Sequence, residues 1–548
     1  MKKRFSLFFV FVLVLSTFLA ACGDKDAKKE DKKDAKEEVK QVLNLPETSE
    51  IPSMDSSLAT DAVSFNVMNN VMEGLYRLGE DGQTPTEGVA EKHEVSEDGK
   101  TYTFTLRSDA KWSNGEPVTA NDFVYAWKRA VNPKTAAEYA YIMFDVKNAA
   151  KINNGELPVD QLGVKAVDEK TLEVQLETAV PYFISLTSFA TFYPLNEKFV
   201  TEQGSKHGTE ANTTLYNGPF TLSEWKHEQS FQLKKNANYW DAKTVKLEEV
   251  NYSIIKDTAT GVNLYETEQI DRIALDAEYV DKYKSSEEFS TYQEPTVFFL
   301  RLNQKDKLLK NKKARQAINM GWDKQLFVDT ILNNGSIPAN FLVPENFVQG
   351  PEDKKDFRDA NGDLVKTDKA EATKLWKEAL KEVGVDSYKL VLLNYDSESA
   401  KKTAEYIKEE LEQTLPGLTV DIKPQPFQQK LDLETKGDYQ FSYAGWGPDY
   451  PDPMTFVDMF VTDGTHNQME YSNPKFDELV KKSKTELMSD LPKRWESLQE
   501  AEKILFEDAA IAPMFQRGRA YLQRPYAKNI VKHNFGGDFS FKWAYIEK

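Results

Sequence analysis

Short stretches in which every second residue is apolar recur through the first 255 positions: Tyr102-Phe104-Leu106, Leu172-Val174-Leu176, Phe231-Leu233 and Val245-Leu247. A period of two puts one row of side chains on each face of an extended chain, so these stretches predict half-buried strands. Elsewhere apolar residues return at helical spacing. Ala120–Ala130 (ANDFVYAWKRA) is one such stretch, where Thr119 or Asn121 can cap the N-terminus, and Lys369–Val383, Ser399–Leu415 and Lys493–Glu507 are others. Alternation returns in Gln440–Trp446 (QFSYAGW), which predicts a late strand. Strands and helices interleaved in this way predict an α/β protein with mixed sheets.

Two segments at the N-terminus depart from these patterns. The basic start Lys2-Lys3-Arg4 is followed by an apolar run from Phe5 to Leu19 and then by Ala20-Ala21-Cys22. A charged start, an apolar run and small residues before a cleavage point form a secretory signal, and a cysteine at that point makes it a lipobox. The run is short of the ~20 apolar residues of a membrane span. Residues 1–21 are therefore expected to be removed, with Cys22 carrying the lipid that holds the protein at the extracytoplasmic face of the cell membrane. Asp24–Lys40 (DKDAKKEDKKDAKEEVK) holds seven acidic and seven basic residues and almost nothing apolar. Such a polyampholyte cannot bury a core, so residues 22–40 read as a lipidated, flexible tether.

With 548 residues the chain is too long for one hydrophobic core and long enough for two to four domains. Its net charge of −18, with no dense basic stripe beyond the extreme N-terminus, argues against nucleic acid as a partner. One cysteine excludes an intramolecular disulfide. The five histidines, His93, His207, His227, His466 and His533, are scattered and form neither HExxH nor a metal-spaced cluster. No GxSxG elbow or phosphate-binding Walker loop is present. Asp359-Ala360-Asn361-Gly362-Asp363 looks superficially like a calcium loop, but Leu364 and Ala370 stand where such a loop needs Gly and Glu, and a polar turn is the plainer reading. No enzyme activity, metal or cofactor is expected.

In the late strand, Gly445 and Gly447 remove side chains where another backbone can come close, and Pro448 cannot continue a ladder. The strand should end there, with Asp449 at its exit. Several segments then occur together: Asn70-Val71-Met72-Glu73-Gly74-Leu75, the block Ala110–Trp127 (AKWSNGEPVTANDFVYAW), Asn217-Gly218-Pro219-Phe220 followed by Trp225, Asn238-Tyr239-Trp240, and Ala444-Gly445-Trp446-Gly447-Pro448-Asp449-Tyr450. In order and spacing this set resembles the peptide-binding branch of the bacterial extracellular solute-binding proteins, the oligopeptide- and dipeptide-binding lipoproteins. The likeness covers everything after the tether.

The resemblance implies a two-lobed, three-domain periplasmic-binding-protein fold of class II type with a hinged ligand cleft. Its first domain would comprise residues 41–72, 197–273 and 517–548, its second 73–196 and its third 274–516. It further implies that a peptide lies extended between the lobes as an added strand, with Asp449 on its α-ammonium and Trp446 lining the cleft. A second flanking strand would come from Thr60, Asp61 and Ala62. Relatives place alternative cations against the peptide's carboxylate: Lys305 matches one of them, while Tyr443 and Ala400 stand at the other two positions, so no fixed peptide length is expected. The expected partners are peptides, an ABC importer's permease with its ATPases, and the membrane through the lipid, with the protein itself a monomer. Fold does not fix ligand. Rival readings are a cell-wall murein peptide, a signalling peptide, a nickel chelate or haem in the same fold, or a secreted peptide hydrolase; an ammonium anchor at Asp449 suits free peptides among these.

Overall fold

Alternating burial organises the sheets of the computed structural model, which describes residues 39–548. The expectations for Cys22, residues 1–21 and most of the tether lie outside the described residues. Thr101–Leu106 buries Tyr102, Phe104 and Leu106, and Thr171–Gln175 buries Leu172 and Val174. These two strands pair antiparallel at the centre of a four-stranded sheet flanked by Ala90–Val95 and Val164–Asp168. Helix Ala120–Val131 buries Phe123 and Trp127. Thr119 is its cap: its backbone N–H donates to the Asp122 carboxylate at 2.7 Å, which closes the first turn and settles the choice against Asn121.

A second four-stranded sheet runs Val42–Glu47, Glu249–Ile254, Ser230–Lys235, Phe220–Lys226, with the first pair parallel and the others antiparallel. Val245 and Leu247, expected in a strand, are buried but unladdered. Pairing begins at Glu249, because the chain has only just left a turn closed by Thr244 N–H on Asp241 O at 3.0 Å. Alternation over three residues records burial and not a sheet partner.

The largest sheet has seven strands: Arg272–Ala274, Ile511–Gln523, Phe289–Leu302, Phe441–Trp446, Tyr388–Tyr395 and Leu418–Gln425 in that order, with Ile337–Pro338 added to Ile511–Gln523. Helices Lys369–Val383 and Glu398–Thr414 contribute Trp376, Ala404 and Ile407 to a core that also holds Leu300, Trp322, Leu392 and Phe441. Two domain boundaries expected from the sequence, 273/274 and 516/517, fall inside strands that pair with each other (Ala274 with Tyr521), so this sheet continues across both.

Candidate functional site

Strand Phe441–Trp446 pairs along its whole length with Phe289–Leu302 on one side, from Val297 opposite Trp446 to Leu302 opposite Phe441. On its other side only Phe441 and Ser442 are paired, with Leu392 and Leu393. The neighbouring strand then leaves: Asn394 Nδ2 donates to Ala400 O at 2.9 Å, and Ser397 caps helix Glu398–Thr414. From Tyr443 to Gly447 one strand edge therefore has no strand partner among the described residues, and alternate amides and carbonyls of an antiparallel strand point toward such an edge.

That edge borders a cavity of about 550 Å³. Thr60, Asp61 and Ala62 line it, as do Tyr443, Gly445, Trp446, Gly447, Asp449 and Ala400, so the fold brings together eight of the nine ligand-binding residues expected from the sequence, with Ala400 beside them. Lys305 stays outside: its side chain is 61% exposed and its Nζ lies 2.5 Å from Glu470 Oε1.

Asp61 caps helix Ala62–Val71, accepting from Ser64 N–H at 2.8 Å and Ser64 Oγ at 2.7 Å. Burial outweighs these bonds and pushes its carboxyl up to about 6. With this side chain spent on the cap, the segment has mainly its backbone to offer a ligand. The side-chain space that Gly445 gives up is taken by this chain: Phe298 stands directly opposite, and a Cβ at 445 would come within 2.7 Å of its ring. The edge-on approach, in the plane of the sheet, stays open. Tyr443 packs between Phe298 and Tyr395, with centroids at 5.3 and 5.5 Å.

Pro448 ends the strand and Asp449 follows, its backbone N–H donating to Thr455 Oγ1 at 3.0 Å. The side chain is 5% exposed. Oδ1 accepts a long bond from the Tyr139 hydroxyl at 3.4 Å, and Oδ2 has no partner. Burial first, and Asp458 second, push this carboxyl well above the usual carboxylate range. The neighbouring acids are compensated: Asp452 takes both Nη atoms of Arg494 at 2.7 and 2.8 Å, and Asp458 holds Lys484. Among the described residues Asp449 has no cation in ion-pair range. A buried carboxylate in that state is costly unless it is protonated or a cation arrives.

The wall facing Asp449 was not legible in the sequence. Tyr139 sits in the short helix Glu138–Met143, stacks on Trp446 at 6.2 Å with planes 5° apart, and meets His466 edge-on at 4.9 Å. Burial and the nearby Arg301 push His466 down to about 3, so it is neutral and adds no positive charge. Tyr182 stacks on Tyr450 at 4.9 Å, and Thr465 Oγ1 donates to Glu138 O at 2.9 Å. These contacts hold the segments around 138–143 and 182 against those around 446–466, and the cavity lies beneath them.

An α/β chain of several sheets bordering a large cavity lined by both polar and apolar residues has the architecture expected of a solute-binding protein. Residues 84–468 match the family model for bacterial extracellular solute-binding proteins, family 5 Middle, and the chain belongs to that family. It is 35% identical over 535 residues to the dipeptide-binding protein DppE of Bacillus subtilis (strain 168), covering 97% of each chain. Among solved structures, the substrate-binding domain of an oligopeptide ABC transporter from Bacillus anthracis str. Ames is similar with a TM-score of 0.91 at 53% identity, over 93% of this chain and 99% of that one. Listeria monocytogenes OppA bound to peptide gives a TM-score of 0.90 at 45% identity, over 93% and 99%.

Proposed function

We propose that the protein captures peptides in extended conformation in this cavity and delivers them to an ABC importer, by binding and release with no chemical step. One observation carries the reading: a buried carboxylate with an unpartnered oxygen, Asp449, stands at the exit of a strand whose edge is free from Tyr443 to Gly447. A peptide's α-ammonium supplies both the missing charge and the missing hydrogen bond. The free edge offers about 16 Å at strand spacing, room for a short peptide main chain. Bonds to the main chain recognise any residue, so this geometry gives affinity without demanding one sequence. Thr60–Ala62 lines the same cavity and offers a second stretch of backbone, and Trp446 and Tyr443 bound the channel. Lys305 lies outside the cavity, paired with Glu470.

The dipeptide for which the Bacillus subtilis DppE relative is named and the peptide bound to Listeria monocytogenes OppA belong to the same chemical class. Cys22 would carry the lipid that keeps the monomeric protein at the outer face of the membrane, beside a permease whose ATPases supply the energy. Incubating the purified protein with a defined peptide mixture and analysing it by native mass spectrometry tests the reading. Intact peptides bound one per chain are expected; fragments accumulating with time, or no bound peptide, would refute it.

A further inference from the structure

Most basic side chains lining the cavity are already met by carboxylates. Lys256 pairs with Asp396 at 2.8 Å and Lys402 with Glu398 at 2.9 Å, while Arg519, at 3.1 Å, shares Glu294 with Arg517. Among the described residues two lining cations have no carboxylate in ion-pair range, Arg301 and Arg272. Arg301 donates to Gln468 and helps hold the buried Glu434 below its usual range, so its charge is in use.

Arg272 is held differently. It opens the short strand Arg272–Ala274, anchored opposite Gln523. Its guanidinium stacks on Tyr521 at 4.3 Å and on Phe539 at 4.5 Å, and among the described residues the guanidinium makes one hydrogen bond, a long one to the Tyr292 hydroxyl at 3.4 Å. Aromatic rings use the faces of a guanidinium and fix its plane, while its N–H edge remains available for a planar acceptor. Two acids, Glu47 and Asp538, line the same cavity, and neither lies in ion-pair range of Arg272; Glu47 accepts instead from Thr48 N–H at 2.7 Å. The fold thus holds a planar donor fork, its faces fixed by two rings, in a ligand cavity with no carboxylate in ion-pair range among the described residues.

We propose that Arg272 receives a carboxylate of the bound peptide, either its C-terminus or an Asp or Glu side chain, and that this cavity therefore favours ligands carrying an anionic group at that depth. The inference rests on the reading of the cavity as a peptide site. Rings that fix the plane make the pairing bidentate, a geometry that lysine cannot reproduce.

The test is calorimetry with three sets of short peptides, all with free N-termini: neutral peptides with a C-terminal amide, the same peptides as free acids, and amidated peptides with one Glu placed at each position in turn. The native protein should bind one carboxylate-bearing set at least about 30-fold more tightly than the neutral set, and Arg272→Gln should abolish that difference while leaving the neutral peptides within about twofold. The free-acid set identifies the terminus as the source; the Glu set identifies a side chain and its position. Unchanged affinity for neutral peptides shows that the variant is folded. If Arg272→Gln folds poorly, Arg272→Lys, keeping the charge but not the fork, should show a preference between native and none. Equal weakening of all three sets, or no preference in the native protein, overturns the assignment to Arg272 while leaving the peptide reading intact. Failure of the native protein to bind any of the peptides overturns both.

Discussion

Replacing Asp449 by Asn keeps the size of the side chain and removes its charge. The backbone bond to Thr455 Oγ1 does not involve the side chain and is retained, so the strand exit should hold its shape. In the native protein the carboxylate is 5% exposed, its Oδ2 is unpartnered, and its Oδ1 accepts a long bond from the Tyr139 hydroxyl at 3.4 Å. A peptide ammonium brought there meets its countercharge in Asp449 alone, since neighbouring acids Asp452 and Asp458 are committed to Arg494 and Lys484. Stranding one member of a buried, hydrogen-bonded charge pair costs roughly 2–5 kcal/mol, or about 30-fold to several thousand-fold in Kd. Because burial already holds this carboxyl high, ionising it takes part of the gain. Acetylating the peptide's N-terminus removes the other partner. Isothermal calorimetry on the four combinations of native or Asn protein with free or acetylated peptide forms a double-mutant cycle. Acetylation should be costly for the native protein and cost much less for the variant. Free peptide bound as tightly by Asp449→Asn as by the native protein, or simple additivity of the two changes, would refute the reasoning.

Three further outcomes are expected. Asp61 has its carboxyl raised from 3.8 to about 6 by burial; protons are then held more tightly in the folded state, so this group's contribution is most favourable below about pH 4 and is lost, by about 3 kcal/mol, as pH rises to about 6. Asp61→Asn, which still caps the helix, should flatten the denaturation free energy across that window, and an unchanged slope would contradict the burial argument. Gly445→Ala drives a Cβ to within 2.7 Å of the Phe298 ring and should lower stability by about 1–3 kcal/mol in chemical denaturation, less in a Phe298→Leu background; equal losses in both backgrounds would show that the ring is not the obstacle. Cys22→Ala should abolish incorporation of labelled fatty acid and release the protein from the membrane or leave its precursor uncut, and persistent labelling would exclude Cys22 as the anchor.

Where local chemistry alone sets the structure, the sequence was readable. Helix Lys369–Val383 has the limits its pattern predicts because Asp368 accepts from Glu371 N–H at 2.9 Å at one end and Gly384, at φ 81°, stops it at the other. The position of Asp449 was readable for the same reason, since Pro448 has to end the strand. Partners brought in by the fold were not. Tyr139 reaches Asp449 across 310 residues from a short helix without a motif, and Arg272 gains its aromatic clamp from Tyr521 and Phe539, near the far end of the chain. Lys305 carries a suggestive position in the sequence, but nothing local records that its side chain turns outward to Glu470. Val245 and Leu247 alternate as a strand does, and only the turn before them explains why they are not paired.

A crystal structure of the protein with a bound peptide of four or five residues tests the central claim most directly. The account predicts the peptide's N-terminal nitrogen at about 2.8 Å from Asp449 Oδ2, and its main chain hydrogen-bonded to the edge from Tyr443 to Gly447 as an added strand. A peptide lying in the reverse direction, with its ammonium away from Asp449, or one held by side chains with that edge still unpaired, would contradict it.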